Sequence, residues 1–454
     1  MIDTSDSREL TVRELQDRGV LLVEDGNHGD DRPRPDEFAD EGVAFIRAAD
    51  MDRGRVLFDR ASNINAVARQ RIRKGIGAPG DVLLSHKGTV GKVALVPLEA
   101  PAFVCSPQTT FWRSLNRDEL DRRFLFAYLK SAVFQNQLTA FKGETDMADY
   151  VSLTNQRGLK VPVPPIGIQR AIAGVLGALD DKIDLNARTN ETLEAMARAL
   201  FTSWFVDFDP VRAKAKGRPP ACMDPDTAAL FPASFAAGEL GPIPAGWSVS
   251  TLKNVTSKIG SGATPRGGDR SYVNFGTAFI RSQNVYDSLF VWDGLARISD
   301  EAAEQLRGVT VQNGDVLINI TGASILRTCV VERAVLPARV SQHVAIVRAT
   351  PGVPPEYIHQ HLLQPATKSY LLGMDAGGSR QAVTKGHLES VRLVLPPGLV
   401  LARFAELTEP MSETVNANNE QTRTLGLIRD ALLPKLLSGA LRVRDADRIV
   451  ERAV

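Results

Sequence analysis

Two long segments of this chain, 232 residues apart, carry the same apolar pattern. From about Gln169 to Phe205, and again from about Arg403 to Leu437, apolar side chains recur at alternating steps of three and four residues. This heptad spacing is typical of a long helix that packs along another helix, and a polar seam residue such as Asn186 fixes the register. The predicted seam consists of Leu179, Ile183, Asn186, Leu193, Leu200, Met411, Val415, Asn418, Leu425 and Leu432.

The repeat extends beyond the two helical segments. A Gly-Asp-Val segment that begins at Gly80 returns at Gly314, and the Phe-Ile-Arg segment of Phe45 returns at Phe279, both at an offset of 234. Matches that share one offset and one order indicate a tandem duplication. Short runs rich in Val, Leu and aromatic residues, broken by Gly and Pro, predict strand-rich globular domains with few helices.

The repeat divides the chain into six segments. Residues 207–247 are rich in Pro, Ala and Gly, and this composition predicts a semi-extended connector. The predicted boundaries are 1–165 for the first globular domain, 166–206 for the first long helix, 207–247 for the connector, 248–398 for the second globular domain, 399–440 for the second long helix and 441–454 for the tail.

Composition is that of a multidomain globular protein. The 454 residues exceed what one hydrophobic core usually serves. No run of eighteen apolar residues suggests a membrane span, and the first residues carry no basic-then-apolar signal. The three cysteines are few and widely spaced, so they predict neither a disulfide framework nor a zinc cluster. We therefore expect a cytoplasmic protein.

Charge is unevenly distributed along the chain. Residues 24–41 hold eight acidic residues and two arginines, whereas residues 47–92 hold ten Lys and Arg and four Asp. Residues 253–285 hold five Lys and Arg and one Asp. A charge run is often only a solvated face, but phosphate contact is the commonest reason to concentrate Lys and Arg. The basic excess in both halves favours DNA binding.

The sequence contains none of the common catalytic motifs. It has no phosphate-binding GxxxxGK[ST] loop, no Asp/Asn-Pro-Pro-Tyr/Phe methyltransferase signature and no GxSxG hydrolase motif. The six histidines show no metal-ligand spacing. A repeated chain without these motifs indicates a binding protein, and we expect no cofactor or metal in it.

Several segments resemble one family. RDALLPKLLSGALRV, at 429–443, is similar to the chain end that is typical of the specificity subunit of type I restriction-modification enzymes. WFVDFDPVRAKAKGR, at 204–218, and LGPIPAGW, at 240–247, resemble that family's stretch between the first long helix and the second recognition domain. GDVLLSHKGTVGK and VSQHVAI resemble strands of its recognition domains. The resemblance covers essentially the whole chain.

This resemblance implies a fold and a function. The fold would be α+β, with two mixed, strand-rich target-recognition domains separated by two long antiparallel coiled-coil helices. Each domain would read one half of a split double-stranded DNA site, and a helix of roughly 40 residues, about 60 Å long, would set the spacing. The chain would be non-catalytic. It would dock two modification subunits, which use S-adenosylmethionine to methylate adenine, and restriction subunits, which use ATP and Mg²⁺.

Arg or Lys to guanine and Asn or Gln to adenine are the usual base contacts. The candidates for base contacts are Arg47, Lys87, Lys92, Arg281, Gln283, Asn284, Ser379, Arg380, Gln381 and Lys385. The candidates for phosphate contacts are Arg69, Arg71, Arg73 and Lys74.

Two other functions remain open at this point. The chain could be a fused bifunctional restriction enzyme, which would require a methyltransferase or nuclease core. It could also be a helical protein-interaction scaffold that does not bind DNA. A gel shift with the chain and its modification subunit would separate these alternatives.

Overall fold

The computed structural model describes residues 8–141, 149–374 and 382–454. It divides into two compact units. Unit 1 comprises residues 1–186 together with 421–454, and unit 2 comprises residues 187–420. The first long helix, Ile166–Phe201, and the second, Gly398–Leu437, each contribute one part to either unit.

Unit 1 combines a six-stranded, a four-stranded and a two-stranded sheet with short helices. Its strands are Arg8–Thr11, Leu21–Asp25, Phe38–Ala39, Val43–Ile46, Met51–Asp52, Arg55–Val56, Ser62–Ile64, Val82–Ser85, Val93–Leu95, Phe103–Cys105, Thr109–Ser114 and Lys160–Val163. Its short helices are Val12–Asp17, Ala66–Arg71, Arg122–Lys130, Ala132–Ala140, Leu153–Arg157 and Val443–Glu451.

Unit 2 has the same kinds of elements. Its strands are Phe235–Gly238, Gly241–Pro244, Ser248–Thr251, Thr256–Ser261, Tyr272–Ile280, Val285–Tyr286, Leu289–Phe290, Ala296–Ile298, Val316–Asn319, Thr328–Val330, Ala338–Val340, Val344–Ala349 and Arg392–Leu395. Its short helices are Asp209–Ala215, Pro225–Ala229, Asp300–Gln305, Pro355–Leu363, Pro365–Gly373 and Lys385–Glu389.

The two units repeat one sheet topology. Strand Thr109–Ser114 lies between Leu21–Asp25 and Val82–Ser85, both antiparallel to it. In unit 2, Val344–Ala349 lies in the same way between its two antiparallel neighbours, Thr256–Ser261 and Val316–Asn319. The internal repeat and the α+β class predicted from the sequence are confirmed.

A buried ion pair is repeated with the topology. Arg113 binds Asp81 through two hydrogen bonds, from Nε at 2.7 Å and from a terminal nitrogen at 2.8 Å. Arg348 binds Asp315 in the same way, at 2.7 and 2.9 Å. The Asp315 side chain is fully buried. In each unit the carboxylate also accepts a backbone N–H from the preceding turn, so its charge is compensated from two sides.

Each unit contains an antiparallel pair of segments from the two long helices. In unit 1, Asp180 binds Arg429 at 3.0 Å and Asn186 donates to Gln421 at 2.9 Å. The partner number falls as the first helix proceeds, so the two segments run in opposite directions. In unit 2, the Asn190 amide donates to the Asn419 side chain at 2.8 Å.

The predicted seam residues lie at different depths in the two units. In unit 1, Leu179, Leu425 and Leu432 belong to one buried cluster, against which Ile183 packs. In unit 2, Leu200 packs against a second buried cluster. Leu193, Met411 and Val415 are half-buried and line one small cavity of unit 2.

The expectation of a semi-extended connector over residues 207–247 is wrong. The segment contains two short helices and the hairpin of Phe235–Gly238 with Gly241–Pro244. Its aromatic residues explain the difference, because Phe208, Phe231 and Trp247 are buried in the core of unit 2 together with Trp204. The Pro-, Ala- and Gly-rich composition alone did not indicate that these aromatic side chains would be buried in a hydrophobic core.

We predict that Arg348→Met destabilises unit 2 by about 3 kcal/mol, because it leaves the buried Asp315 carboxylate without its cation. The double variant Asp315→Asn/Arg348→Met removes both charges and should lose much less stability than the single variant. Urea unfolding followed by circular dichroism measures the difference. The explanation fails if the single variant is no less stable than the double one.

Candidate nucleic-acid interface

Loops at the ends of several strands meet at one corner of unit 1. After the strand Leu21–Asp25, the Asn27 backbone N–H donates to the Cys105 carbonyl oxygen at 2.7 Å. The His86 N–H donates to the Gln108 carbonyl oxygen at 2.9 Å. These bonds fix three loops relative to one another through backbone atoms alone.

A basic turn completes this corner. The Gly75 carbonyl oxygen accepts the Cys105 N–H at 2.8 Å, and the Gly75 N–H donates to the Glu24 carboxylate at 3.0 Å. The turn therefore holds the exposed side chains of Arg73 and Lys74 beside the other loops. We call this assembly the unit-1 loop corner, made of residues 26–28, 73–75, 86–88 and 106–108.

Equivalent backbone bonds recur in unit 2. The Ala263 N–H donates to the Val340 carbonyl oxygen at 3.0 Å, and the Ile320 N–H donates to the His343 carbonyl oxygen at 3.0 Å. Each pair matches its unit-1 counterpart at an offset between 234 and 236 residues. The unit-2 loop corner consists of residues 262–264, 320–322 and 341–343.

The side chains displayed on this shared frame differ between the units. At five equivalent positions unit 1 has polar, basic or imino-acid residues that unit 2 replaces with others. The pairs are Asn27 and Ala263, His28 and Thr264, Lys87 and Thr321, Pro107 and Gln342, and Gln108 and His343. One backbone frame thus presents two different sets of hydrogen-bonding groups.

A glycine permits the close approach of two loops in each corner. A Cβ atom on Gly26 would lie 1.9 Å from the Ser106 carbonyl oxygen, and one on Gly262 would lie 2.1 Å from the Val340 carbonyl oxygen. Real Cβ atoms do not approach backbone so closely, so any other residue would force the loops apart. The duplicated glycine is a requirement of the frame.

In the unit-1 loop corner, Lys87 is exposed and its Nζ lies 5.9 Å from the centre of the Tyr150 ring. The centres of the His86 and Tyr150 rings are 5.5 Å apart, and His86 Nε2 lies 3.8 Å from the Asp25 carboxylate. Burial lowers the pKa of the His86 imidazole. Asn27 is fully buried, and its amide atoms make no hydrogen bond within the described residues.

In the unit-2 loop corner, four side chains from three loops form one hydrogen-bonded chain. Thr264 bonds to Gln342, Gln342 bonds to His343, and His343 bonds to Thr321. Gln342 and His343 are exposed. The corner therefore carries an ordered polar surface with no Lys, Arg, Asp or Glu at these four positions.

Several predicted base-contact residues hold the fold together. The Lys92 ammonium donates to the backbone oxygens of Ala48 and Met51, both at 3.1 Å. Asn284 is fully buried, where it accepts the Arg281 N–H at 3.0 Å. Base reading requires exposed polar atoms, so Lys92 and Asn284 are structural in this fold.

The two repeated arginines are partly engaged. Arg47 donates to Asp50 at 3.3 Å and to Ser62 at 3.2 Å, and it remains about two-fifths exposed. Arg281 donates to the Gly294 carbonyl oxygen at 2.6 Å, and the exposed Gln283 donates to the same oxygen at 3.2 Å.

The remaining candidates are either held in an ion pair with a buried glutamate, at least partly exposed, or outside the described part of the chain. Arg71 is bound by both Glu37 carboxylate oxygens at 2.6 Å, and this contact lowers the Glu37 pKa to about 2. Arg69 is half-buried, and Lys385 is exposed with a Glu389 partner at 3.5 Å. The residues outside the described part of the chain are Ser379, Arg380 and Gln381.

The basic excess of the two halves does not lie at equivalent positions of the repeat. At the offset of the repeat, the counterpart of the basic helix Ala66–Arg71 is Asp300–Gln305, which carries Asp300, Glu301 and Glu304. Residues 281–326, which correspond to 47–92, hold three arginines and six acidic residues. Of these two equivalent helices, only the one in unit 1 therefore offers basic side chains for phosphate contact.

Sequence reasoning missed Asn27, Gln108, Thr264, Gln342 and His343. A signal for the last two was present, since they follow Ser341, which the repeat aligns with Ser106 directly after an equivalent strand. Their position next to Thr264 and Thr321, however, depends on the backbone hydrogen bonds between the loops, which the sequence does not show.

The structure also limits other site types. Within residues 8–141, 149–374 and 382–454, no group of three or more His, Cys, Asp or Glu side chains could hold a metal ion. In the same residues, no helix is long and apolar enough to cross a membrane.

Comparison with known proteins identifies the class. Residues 29–195 match the family described as type I restriction modification DNA specificity domain. The chain is 24% identical over 452 residues to the HindI type I restriction enzyme specificity subunit of Haemophilus influenzae, covering 88% of this chain and 94% of the relative. It is 24% identical over 390 residues to the MjaIX specificity subunit of Methanocaldococcus jannaschii, covering 84% and 82%.

The fold is similar to the crystal structure of the S subunit of a type I restriction-modification system from M. genitalium. The TM-score is 0.54 at 14% sequence identity, covering 96% of this chain and 97% of that one. The predicted family is thus confirmed: the chain is related along most of its length to the specificity subunits of type I restriction-modification enzymes.

We predict that Gly262→Ala opens the unit-2 loop corner, because the new Cβ has no room beside the Val340 carbonyl oxygen. The variant should lose about 1–3 kcal/mol of stability. Gly260→Ala is the matched control, since nothing lies within 4 Å of a Cβ at Gly260. Thermal unfolding and limited proteolysis compare the two, and equal behaviour would contradict the close approach.

Proposed function

We propose that this chain recognises a bipartite double-stranded DNA site, with each loop corner reading one half of it. The single observation that carries the proposal is the duplicated backbone frame with different side chains upon it. A reader of two unequal half-sites needs one geometry to approach the base edges and two sets of donors and acceptors to distinguish them.

In unit 1, the side chains suit base reading. Lys87 can donate to guanine O6 or N7, and Gln108 can bind adenine through its amide. Both are exposed, and Lys87 forms no ion pair with the residues that the structure describes. Arg73 and Lys74 stand at the rim, where a phosphate contact would position the duplex.

The two units would be held at a set distance by the paired long helices. Buried side-chain amides at Asn186 and Asn190 support this role, because a shifted register would leave them without partners. Half-site spacing in DNA recognition follows the distance between readers.

The complex around the chain would supply the chemistry. Two modification subunits, binding S-adenosylmethionine, would methylate adenine, and restriction subunits would use ATP and Mg²⁺. The whole assembly would act on DNA in the cytoplasm. A protein scaffold without DNA binding is the alternative that the following experiments would reveal.

The first test concerns half-site modularity. Lys87→Ala/Gln108→Ala should relax the preference in one half-site, by roughly 1–3 kcal/mol per lost base contact, and leave the other half unchanged. Methylation of a randomised site library by the chain with its modification subunits measures both halves at once.

The matched control removes the same residue types elsewhere. Lys253 and Gln305 are exposed and lie outside both loop corners, so Lys253→Ala/Gln305→Ala should keep the wild-type preference. If the Lys87/Gln108 variant altered both half-sites together, the modular reading would be rejected.

The second test concerns phosphate contact. Arg73→Ala/Lys74→Ala should weaken binding to all sequences and reduce the slope of log K against log salt by about 1 per lost phosphate contact. Fluorescence anisotropy over a salt series measures this. Arg117→Ala/Arg123→Ala removes two other exposed charges of unit 1 as a control. An equal change in both variants would argue against a local contact.

A further inference from the structure

The hydrogen-bonded chain in the unit-2 loop corner fixes the orientation of Gln342. The Gln342 side-chain nitrogen lies 3.0 Å from His343 Nε2. An amide nitrogen only donates, so Nε2 accepts and the ring proton is on Nδ1. That Nδ1–H donates to the Thr321 hydroxyl oxygen at 2.7 Å.

The amide oxygen is held from the other side. The Thr264 hydroxyl donates to Gln342 Oε1. Gln342 is therefore bound at both ends of its amide by residues from two different loops. Because a free glutamine side chain loses considerable rotational freedom on binding, an amide that is already held costs less to engage.

The remaining bonding capacity of Gln342 can be counted. An amide nitrogen has two N–H donors, and an amide oxygen has two acceptor lone pairs. His343 uses one donor and Thr264 uses one acceptor. One N–H and one lone pair remain, on a side chain that is exposed at the strand end.

We propose that Gln342 reads an adenine in the major groove of the half-site recognised by unit 2, with His343 and Thr264 as positioning residues. The inference rests on the proposed DNA recognition and adds the base and the residue. Adenine presents N7 as an acceptor beside N6–H as a donor, which matches the free N–H and the free lone pair of the amide.

The other bases fit this pair of groups less well. Guanine presents two acceptors, N7 and O6, so the free lone pair of Gln342 would face a lone pair. Cytosine offers only the N4 donor, and thymine offers the O4 acceptor beside a methyl group. Adenine alone allows two simultaneous hydrogen bonds to the amide as it is held.

The corresponding described positions of unit 1 do not form this hydrogen-bonded chain. Pro107 stands where unit 2 has Gln342, and a proline side chain neither donates nor accepts. Gln108 occupies the position of His343 without a side-chain hydrogen bond in the described residues. The two half-sites should therefore differ in how strictly one adenine is required.

The experiment uses the chain in complex with its modification subunits and a randomised bipartite site library read by methylation mapping. Gln342→Ala should reduce the discrimination for adenine at one position of one half-site by about 5- to 150-fold, the range for a lost bidentate pair. Gln342→Glu should shift the preference there towards cytosine, because a carboxylate only accepts.

Two further variants test the positioning role. Thr264→Val removes the hydroxyl and keeps the side-chain shape, so discrimination at the Gln342 position should fall while all other positions stay the same. Thr264→Ser keeps the hydroxyl and should retain the wild-type discrimination at that position. His343→Ala should act at the same position as Thr264→Val. A merely structural role of these residues would instead lower affinity at every position of the half-site.

The outcomes separate this inference from the proposed function. If the complex still selects its bipartite site but Gln342→Ala and Gln342→Glu change no position, or change a position that does not prefer adenine, the inference is overturned. If variants of both loop corners, Lys87→Ala/Gln108→Ala included, leave recognition unchanged, the proposed function itself fails.

Discussion

The backbone hydrogen bonds between strand ends are the constraint on which the candidate site depends. They use main-chain atoms, so the loops can keep their arrangement while the side chains around Gly26 and Gly262 are exchanged. The ion pairs of Asp81 with Arg113 and of Asp315 with Arg348 stabilise the strands that carry these loops. Each pair holds its place because a buried carboxylate without its cation is strongly destabilising. A rigid frame with exchangeable side chains is the physical requirement for two readers of unequal sequence.

The long helices and the repeat could be predicted from the sequence because both are periodic. A heptad seam is visible in the spacing of apolar residues along one helix, such as Leu425 and Leu432, and a duplication is visible in a single offset. The folded segment 207–247 could not be predicted in this way. Its stability comes from aromatic residues such as Phe231, whose partners lie far away in sequence.

The candidate site was only partly predictable, for a related reason. Lys87, Arg73 and Lys74 could be selected by charge and loop position. Asn284 resembled a base reader in type, yet its amide satisfies three backbone groups in the interior. Local charge was also misleading, since the acidic helix Asp300–Gln305 stands where unit 1 has a basic one. Residue type indicates what a side chain can bind, and only the fold shows whether it is available.

The discontinuity of unit 1 has a consequence for synthesis. Its core takes Leu425, Leu432 and Leu436 from the last part of the chain, although most of its residues are made first. Unit 2 is a single uninterrupted stretch, residues 187–420. During translation, therefore, unit 2 has all of its residues before unit 1 does. The first domain to leave the ribosome is the last that can close its core, and until then it exposes the apolar face of Leu176 and Leu179.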